Sequence, residues 1–175
     1  MDINQEDYGG ENLRFGFVTT AIGLALVAMS SRGVAAILFG ADEGDLRRQL
    51  REAAPGAEIS EDAEGLGETL DHVAALIDRP HRAPAFPLDL RGSAAQLGVW
   101  AALRAIPAGE TRSYGAVAKS LEVALTAQEV GAACAANRVA VAVPCHRVVK
   151  ADGRLSGYRW GVHRKRKLID LEALA

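Results

Sequence analysis

Residues 113–149 read SYGAVAKSLEVALTAQEVGAACAANRVAVAVPCHRVV. Two short helical patterns follow one another in this stretch. Ser113 is suited to cap the first, and Thr126 the second, which runs to near Asn137. A short helix, a tight connection and a second helix fit a helix-turn-helix. The second helix is built of small side chains, from Gly131 through Ala136. A helix that reads the major groove carries long polar side chains on its exposed face, whereas a helix of small residues can approach another surface closely. The stretch ends in VPCHRVV, Val143–Val149, where Cys145 and His146 are neighbours. Adjacent side chains on an extended chain point to opposite faces, so this thiol and imidazole are not placed to touch directly.

Working outward, SAAQLGVWAALRAI reads as a helix capped by Ser93 and stopped at Pro107, followed by the turn AGET. GVHRKRKLIDLEALA reads as the last helix, with Leu168, Leu171 and Leu174 as its apolar stripe. Residues 86–175 therefore form a mostly helical lobe. Upstream, FGFVTTAIGLALVAMSSRGVAAILFG reads as strands separated by Gly23 and by the turn SSRG. DLRRQLREAA, with Leu46 and Leu50, and LGETLDHVAALID, with Leu66, Leu70, Val73 and Ile77, read as helices. Residues 13–85 thus form a small α/β lobe. RPHRAPAFP, with three prolines, is the linker between the lobes, and the polar residues 1–12 are expected to be a flexible N-terminus. The fold class is α/β.

The 175 residues hold only two cysteines, Cys134 and Cys145. That excludes a disulfide scaffold and suggests a reducing cytoplasm. The acidic start MDINQEDYGGEN does not have the charge pattern expected of a secretory leader, and the uncharged run Phe15–Ser31 is short for a membrane span and broken by glycines and threonines. The net charge of −2 conceals an asymmetry: about −8 over residues 1–99 and +8 over residues 100–167. A basic half on an acidic chain suggests a polyanion partner, although a solvated surface explains the charge equally well.

Cys145 follows Pro144, and His146, Arg147 and His163 bring polar or positive groups. Such surroundings are expected to lower a thiol below its ordinary pKa, and the thiolate is the nucleophile. A water between Cys145 and His146 would carry the proton that the two residues cannot pass directly. A carboxylate would orient the imidazole, and Asp170 and Glu172 on the last helix are the candidates. A papain-like pair lies far apart in sequence, zinc needs more ligands at close spacing, and no phosphate-binding loop is present.

VPCHRVV followed by DGRLSGYRWGVHRKRKLIDLE resembles the active-site region of the O6-alkylguanine-DNA alkyltransferases. The likeness is strongest to the C-terminal half of the bacterial adaptive-response protein. It extends through CAANR, IPAGETRSYGAVA and PLDLRGSAAQLGVW, and more faintly into the first lobe. No cysteine cluster precedes the domain, so the zinc-bearing module of the adaptive-response protein is expected to be absent. The resemblance implies a ribonuclease-H-like first lobe and irreversible alkyl transfer from O6-alkylguanine, and O4-methylthymine, to Cys145. It implies no cofactor and no metal. His146 is implied as the water-mediated base, Glu172 as the carboxylate that orients it, and Asn137 as the brace of the active-site turn. Tyr114, Gln128, Ala135, Arg138, Arg147, Val148, Tyr158 and Arg159 are implied as substrate or DNA contacts, with Val148 and Arg159 acting through backbone near the base edge. The implied partner is double-stranded DNA carrying alkylated bases, entered from the minor groove, with the damaged base flipped out. A monomeric cytoplasmic protein with no membrane contact is expected.

One departure stands out. The family's Arg-Ala-Val near the start of the small-residue helix is here Gln128-Glu129-Val130. Glutamine fills space without charge, and Glu129 adds a negative charge near phosphate. Both are expected to weaken DNA binding or flipping while leaving the thiol chemistry intact. A non-catalytic module that recognises alkylated bases is the rival reading, and a binding protein for another anion is a third. The presence of Cys145 favours the enzyme.

Overall fold

Gly23, at φ 118°, turns strand β1 (Asn12–Thr20) back along β2 (Gly23–Met29) in an antiparallel hairpin with Thr20 opposite Gly23. The computed structural model describes residues 8–174. β3 (Val34–Phe39) continues the antiparallel sheet beside β2. A fourth strand, β4 (Glu58–Glu61), pairs parallel to β1, so the mixed sheet runs β3-β2-β1-β4. β4 has no alternating apolar pattern; it is a polar edge strand, and that is why its sequence does not announce it. Helix α1 (Glu43–Ala53) buries Leu46 and Leu50, and its first turn is capped by Asp42, whose side chain accepts from the Asp45 amide at 2.8 Å. Helix α2 (Gly67–Asp78) buries Leu70, Val73 and Ile77.

The expected linker is built into the fold. Pro80–Arg82 makes a single 3-10 turn, and the chain beyond it pairs with the start of β3: the Val34 amide donates to Pro87 O at 2.9 Å and the Asp89 amide to Val34 O at 2.8 Å. Gly33 allows this approach, because a Cβ there would lie 2.6 Å from Pro87 O. Of the polar N-terminus, residues 1–7 lie outside the described residues. From Tyr8 onward the chain is packed rather than loose: Tyr8 is buried with its hydroxyl on Asp89 O at 3.2 Å, and Glu11 pairs with Arg91 at 2.7 Å.

The chain around Val139 joins the free edge of β3. The Ile37 amide donates to Arg138 O and the Ala140 amide to Ile37 O, both at 3.0 Å. The chain just before Cys145 is thereby fixed to the most buried strand, all six residues of which are buried. Helix α3 (Ala94–Arg104) starts in a capping box of Ser93 and Gln96. Helix α4 (Tyr114–Ser120) is capped by Ser113, and α5 (Ala127–Ala135) by Thr126. Short strands β5 (Arg112–Ser113) and β6 (Val148–Val149) pair in parallel, and α6 (Val162–Ala173) closes the fold. The expected stripe on α6 needs correction. Leu168 is buried and Leu171 partly so, but Leu174 is 73% exposed; the inward face is Lys165, Leu168 and Glu172, at helical spacing. No helix among the described residues is long and apolar enough to cross a membrane.

Candidate active site

The turn between α5 and Cys145 is braced by the Asn137 side chain. Asn137 is buried; its Oδ1 accepts from the Val139 amide at 2.9 Å and its Nδ2 donates to Val143 O at 3.0 Å. The same Nδ2 lies 3.4 Å from Cys145 Sγ. Within the braced turn Val141 has φ 68°, a left-handed conformation that a β-branched residue adopts only under constraint. Pro144 leads into a 3-10 turn, Cys145–Arg147, that sends successive side chains in different directions.

His146 turns away from the thiol. It is fully buried, and its Nε2 lies 2.7 Å from Glu172 Oε1. Glu172 also accepts from Arg147 twice, at 3.0 Å and 2.8 Å, while the third arm of Arg147 donates to Ile106 O at 2.6 Å. Burial pushes the Glu172 carboxyl up, but the hydrogen bonds from His146 and Arg147, the charge of Arg147 and, at the low pH where the carboxyl titrates, that of a protonated His146 outweigh it and hold it at about 2. An ionised carboxylate only accepts, so His146 Nε2 carries the proton. Burial pushes the imidazole pKa down, against the pull of Glu172. The ring is therefore neutral, and its lone pair sits on Nδ1, a buried atom without a hydrogen-bond partner among the described residues. The arrangement is an imidazole with one nitrogen locked on Glu172 and the other buried. Asp170, the other candidate carboxylate, is exposed.

Cys145 is 4% exposed and lines a cavity of about 360 Å³ together with Tyr114, Gly131, Cys134, Ala135, Gly157, Tyr158 and Arg159. The expectation of a lowered thiol pKa is corrected: burial pushes it up, and the Asn137 hydrogen bond and the charges of Lys165 and Arg159 only partly oppose this. The physical reason is that the positive groups expected to help point elsewhere. Arg147 is bound to Glu172, and His163 is exposed on α6. The surroundings of Cys145 therefore favour the neutral thiol over the thiolate.

Sequence reasoning missed Lys165. It is 1% exposed, donates from Nζ to Ser156 Oγ at 2.9 Å, and Ser156 Oγ in turn bonds the Tyr114 hydroxyl. In the sequence Lys165 is hidden in the run HRKRK; only its placement seven residues before Glu172, on the same face as Leu168, could have separated it from its solvated neighbours.

The remaining candidates divide. Tyr158 and Arg159 border the cavity, and Arg159 donates to Asn137 O at 3.0 Å. Gln128, Ala132 and Ala135 form an exposed stripe on α5 beside it. Val148 is buried in β6 and does not line the cavity. Two arginines expected to contact DNA are engaged within the protein. Arg147 is buried on Glu172, and Arg138 donates to Ala53 O and Arg91 O with its guanidinium near the Tyr8 ring, 5.8 Å from its centroid. Glu129 is more than an intrusive charge: it closes the capping box of α5, accepting from the Thr126 amide at 2.7 Å.

Comparison with known proteins adds the following. A family described as 6-O-methylguanine DNA methyltransferase, DNA binding domain, matches residues 94–174. The Escherichia coli bifunctional transcriptional activator/DNA repair enzyme Ada is 42% identical over 175 residues, covering 99% of this chain and 49% of that protein. The inducible methylated-DNA–protein-cysteine methyltransferase of Bacillus subtilis is 36% identical over 131 residues, covering 75% of this chain and 73% of that protein. The chain spans about half the length of the Escherichia coli and Salmonella typhimurium relatives it matches. Among solved structures, Mycobacterium tuberculosis OGT in complex with DNA superposes with a TM-score of 0.74 at 31% identity, covering 93% of this chain and 92% of the other.

Proposed function

The chain belongs to the 6-O-methylguanine DNA methyltransferase family, and from that premise we propose that it repairs DNA by moving an alkyl group from O6-alkylguanine onto its own Cys145. The thiol proton passes through a water to His146 Nδ1. Sγ attacks the alkyl carbon, the S–C bond forms as the C–O6 bond breaks, and the guanine takes up one proton. Overall the thiol hydrogen is exchanged for the alkyl group, and the thioether ends the protein's activity. The observation that carries this reading is an imidazole whose Nε2 is held 2.7 Å from Glu172 and whose buried Nδ1 has no hydrogen-bond partner among the described residues, next in the chain to a thiol at a cavity wall.

The finer reading follows the same line. Residues 86–175 act as the DNA-binding and catalytic lobe on a ribonuclease-H-like lobe of residues 13–85. Helices α4 and α5 serve as a helix-turn-helix whose second helix enters the minor groove. The exposed stripe of Gln128, Ala132 and Ala135 supports this, since bulk on that face would hold the backbone away from the groove. The target base is flipped into the cavity beside Cys145, and the protein works as a cytoplasmic monomer. Incubation with a duplex containing one O6-methylguanine, followed by peptide mapping, tests the reading: a methyl on Cys145 supports it, and methylated DNA left intact overturns it.

A further inference from the structure

Helix α6 carries the carboxylate of the site on its last turn, where a helix has no internal partners for its final carbonyls. The usual remedies are missing. No basic residue lies in that last turn, and the C-cap is Leu174 in an extended conformation rather than a left-handed glycine. A donor comes instead from outside the helix. His81, in the 3-10 turn between the lobes, donates from Nε2 to the backbone carbonyl of Glu172 at 2.7 Å. On another side of that carbonyl Gly109, at φ 90°, comes so close that a Cβ would lie 3.2 Å from the oxygen and 3.8 Å from His81 Cε1. The other end of the helix is also gripped by the first lobe: Arg164 donates to Ile22 O at 3.0 Å and Lys167 to Ala21 O at 3.0 Å, both at the β1–β2 turn.

We propose that His81 is a positioning residue for the reaction: by capping the Glu172 carbonyl it fixes the last turn of α6, and so holds the Glu172 carboxylate against His146. The proposal rests on the alkyl-transfer reading above. It assigns the interlobe segment a task in the chemistry. Without the cap the last turn frays, the 2.7 Å contact to His146 Nε2 loosens, and Nδ1 is no longer aimed at the proton path.

The test compares the parent protein with His81→Ala and His81→Gln; glutamine keeps an N–H donor of similar reach. Three quantities are read: the single-turnover rate of methyl transfer at saturating O6-methylguanine duplex, the duplex dissociation constant, and the rate of Cys145 labelling by iodoacetamide without DNA. In His81→Ala, transfer and labelling are expected to slow by about tenfold, less than the ~10²-fold that a 1 Å misplacement can cost, with DNA affinity within about twofold. His81→Gln is expected to recover most of both rates. Unchanged transfer in His81→Ala, a Gln variant as slow as the Ala variant, or a loss confined to DNA affinity overturns the proposal. If His81→Ala does not fold, Gly109→Ala decides: it crowds the same carbonyl while leaving His81 in place, and the same slowing at constant DNA affinity is expected. A parent protein that labels normally with iodoacetamide but transfers no methyl overturns the alkyl-transfer reading instead, while the labelling rates still judge His81.

Discussion

Glu172 Oε1 lies 2.7 Å from His146 Nε2 and 2.8 Å from Arg147 Nη2, so one carboxylate orients the base and anchors the arginine that follows it in the chain. Removing the charge while keeping the shape isolates the first task. Glu172→Gln is expected to slow alkyl transfer by ~10²-fold or more, in the range of general-base effects, with little change in duplex affinity. Single-turnover kinetics beside a DNA titration check this. Collapse of DNA binding with normal thiol reactivity would make Glu172 a structural or DNA-facing residue.

The same carboxylate gives a pH signature. Its folded pKa, held at about 2, lies below the ordinary value of 4.5. A depressed carboxyl stabilises the fold above the ordinary value, and that contribution is lost as pH falls through the folded value. Melting temperatures measured between those two pH values are expected to fall more steeply for the parent than for Glu172→Gln. Parallel curves would show that the Arg147 and His146 contacts do not contribute to stability.

Both cysteines border the cavity, yet they are not equivalent. Burial pushes Cys134 up to about 12, and nothing hydrogen-bonds its sulfur among the described contacts; Lys165 favours both thiolates, but Asn137 and Arg159 favour that of Cys145 alone. Brief iodoacetamide treatment at mildly alkaline pH is expected to label Cys145 well before Cys134 by peptide mapping. Equal or reversed labelling contradicts this ordering.

The departure at the start of α5 calls for a particular pair of substitutions. Gln128 is exposed and free to become arginine, but Glu129 closes the capping box with Thr126. Glu129→Ala is expected to cost stability by opening the capping box, which would mask any gain at phosphate. Gln128→Arg with Glu129→Gln keeps the box and removes the charge. This pair is expected to speed repair of duplex while leaving repair of a short single-stranded oligonucleotide, which needs no flipping, nearly constant. Unchanged duplex repair would show that Gln128 already fills the gap of the flipped base. Arg112 or Arg138 filling that gap is the other outcome that would leave duplex repair unchanged, although Arg138 already donates to Ala53 O and Arg91 O.

Much of this was legible in the chain itself. The caps at Ser93, Ser113 and Thr126, the β1–β2 turn at Gly23 and the apolar spacing in α1 and α2 are local signals, and local signals survive folding. The adjacent Cys145 and His146 pointed to an indirect proton path, and the structure places their side chains on different neighbours. What escaped depended on distant partners. β4 exists because β1 offers it an edge. Lys165 is buried because Ser156 receives it. Arg147 and Arg138 look like surface cations until Glu172, Ile106, Ala53 and Arg91 are brought to them. The thiol pKa moved opposite to expectation because burial, which no spacing reveals, outweighs the charges nearby.

The central claim is that Cys145 accepts one alkyl group and keeps it. Intact-mass measurement after incubation with excess O6-methylguanine duplex tests it most directly, with fragmentation to place the group. One methyl per protein molecule, located on Cys145, with demethylated guanine formed in equal amount, is the result expected. Demethylation exceeding the protein present, a methyl on Cys134, or an unchanged protein mass would contradict it.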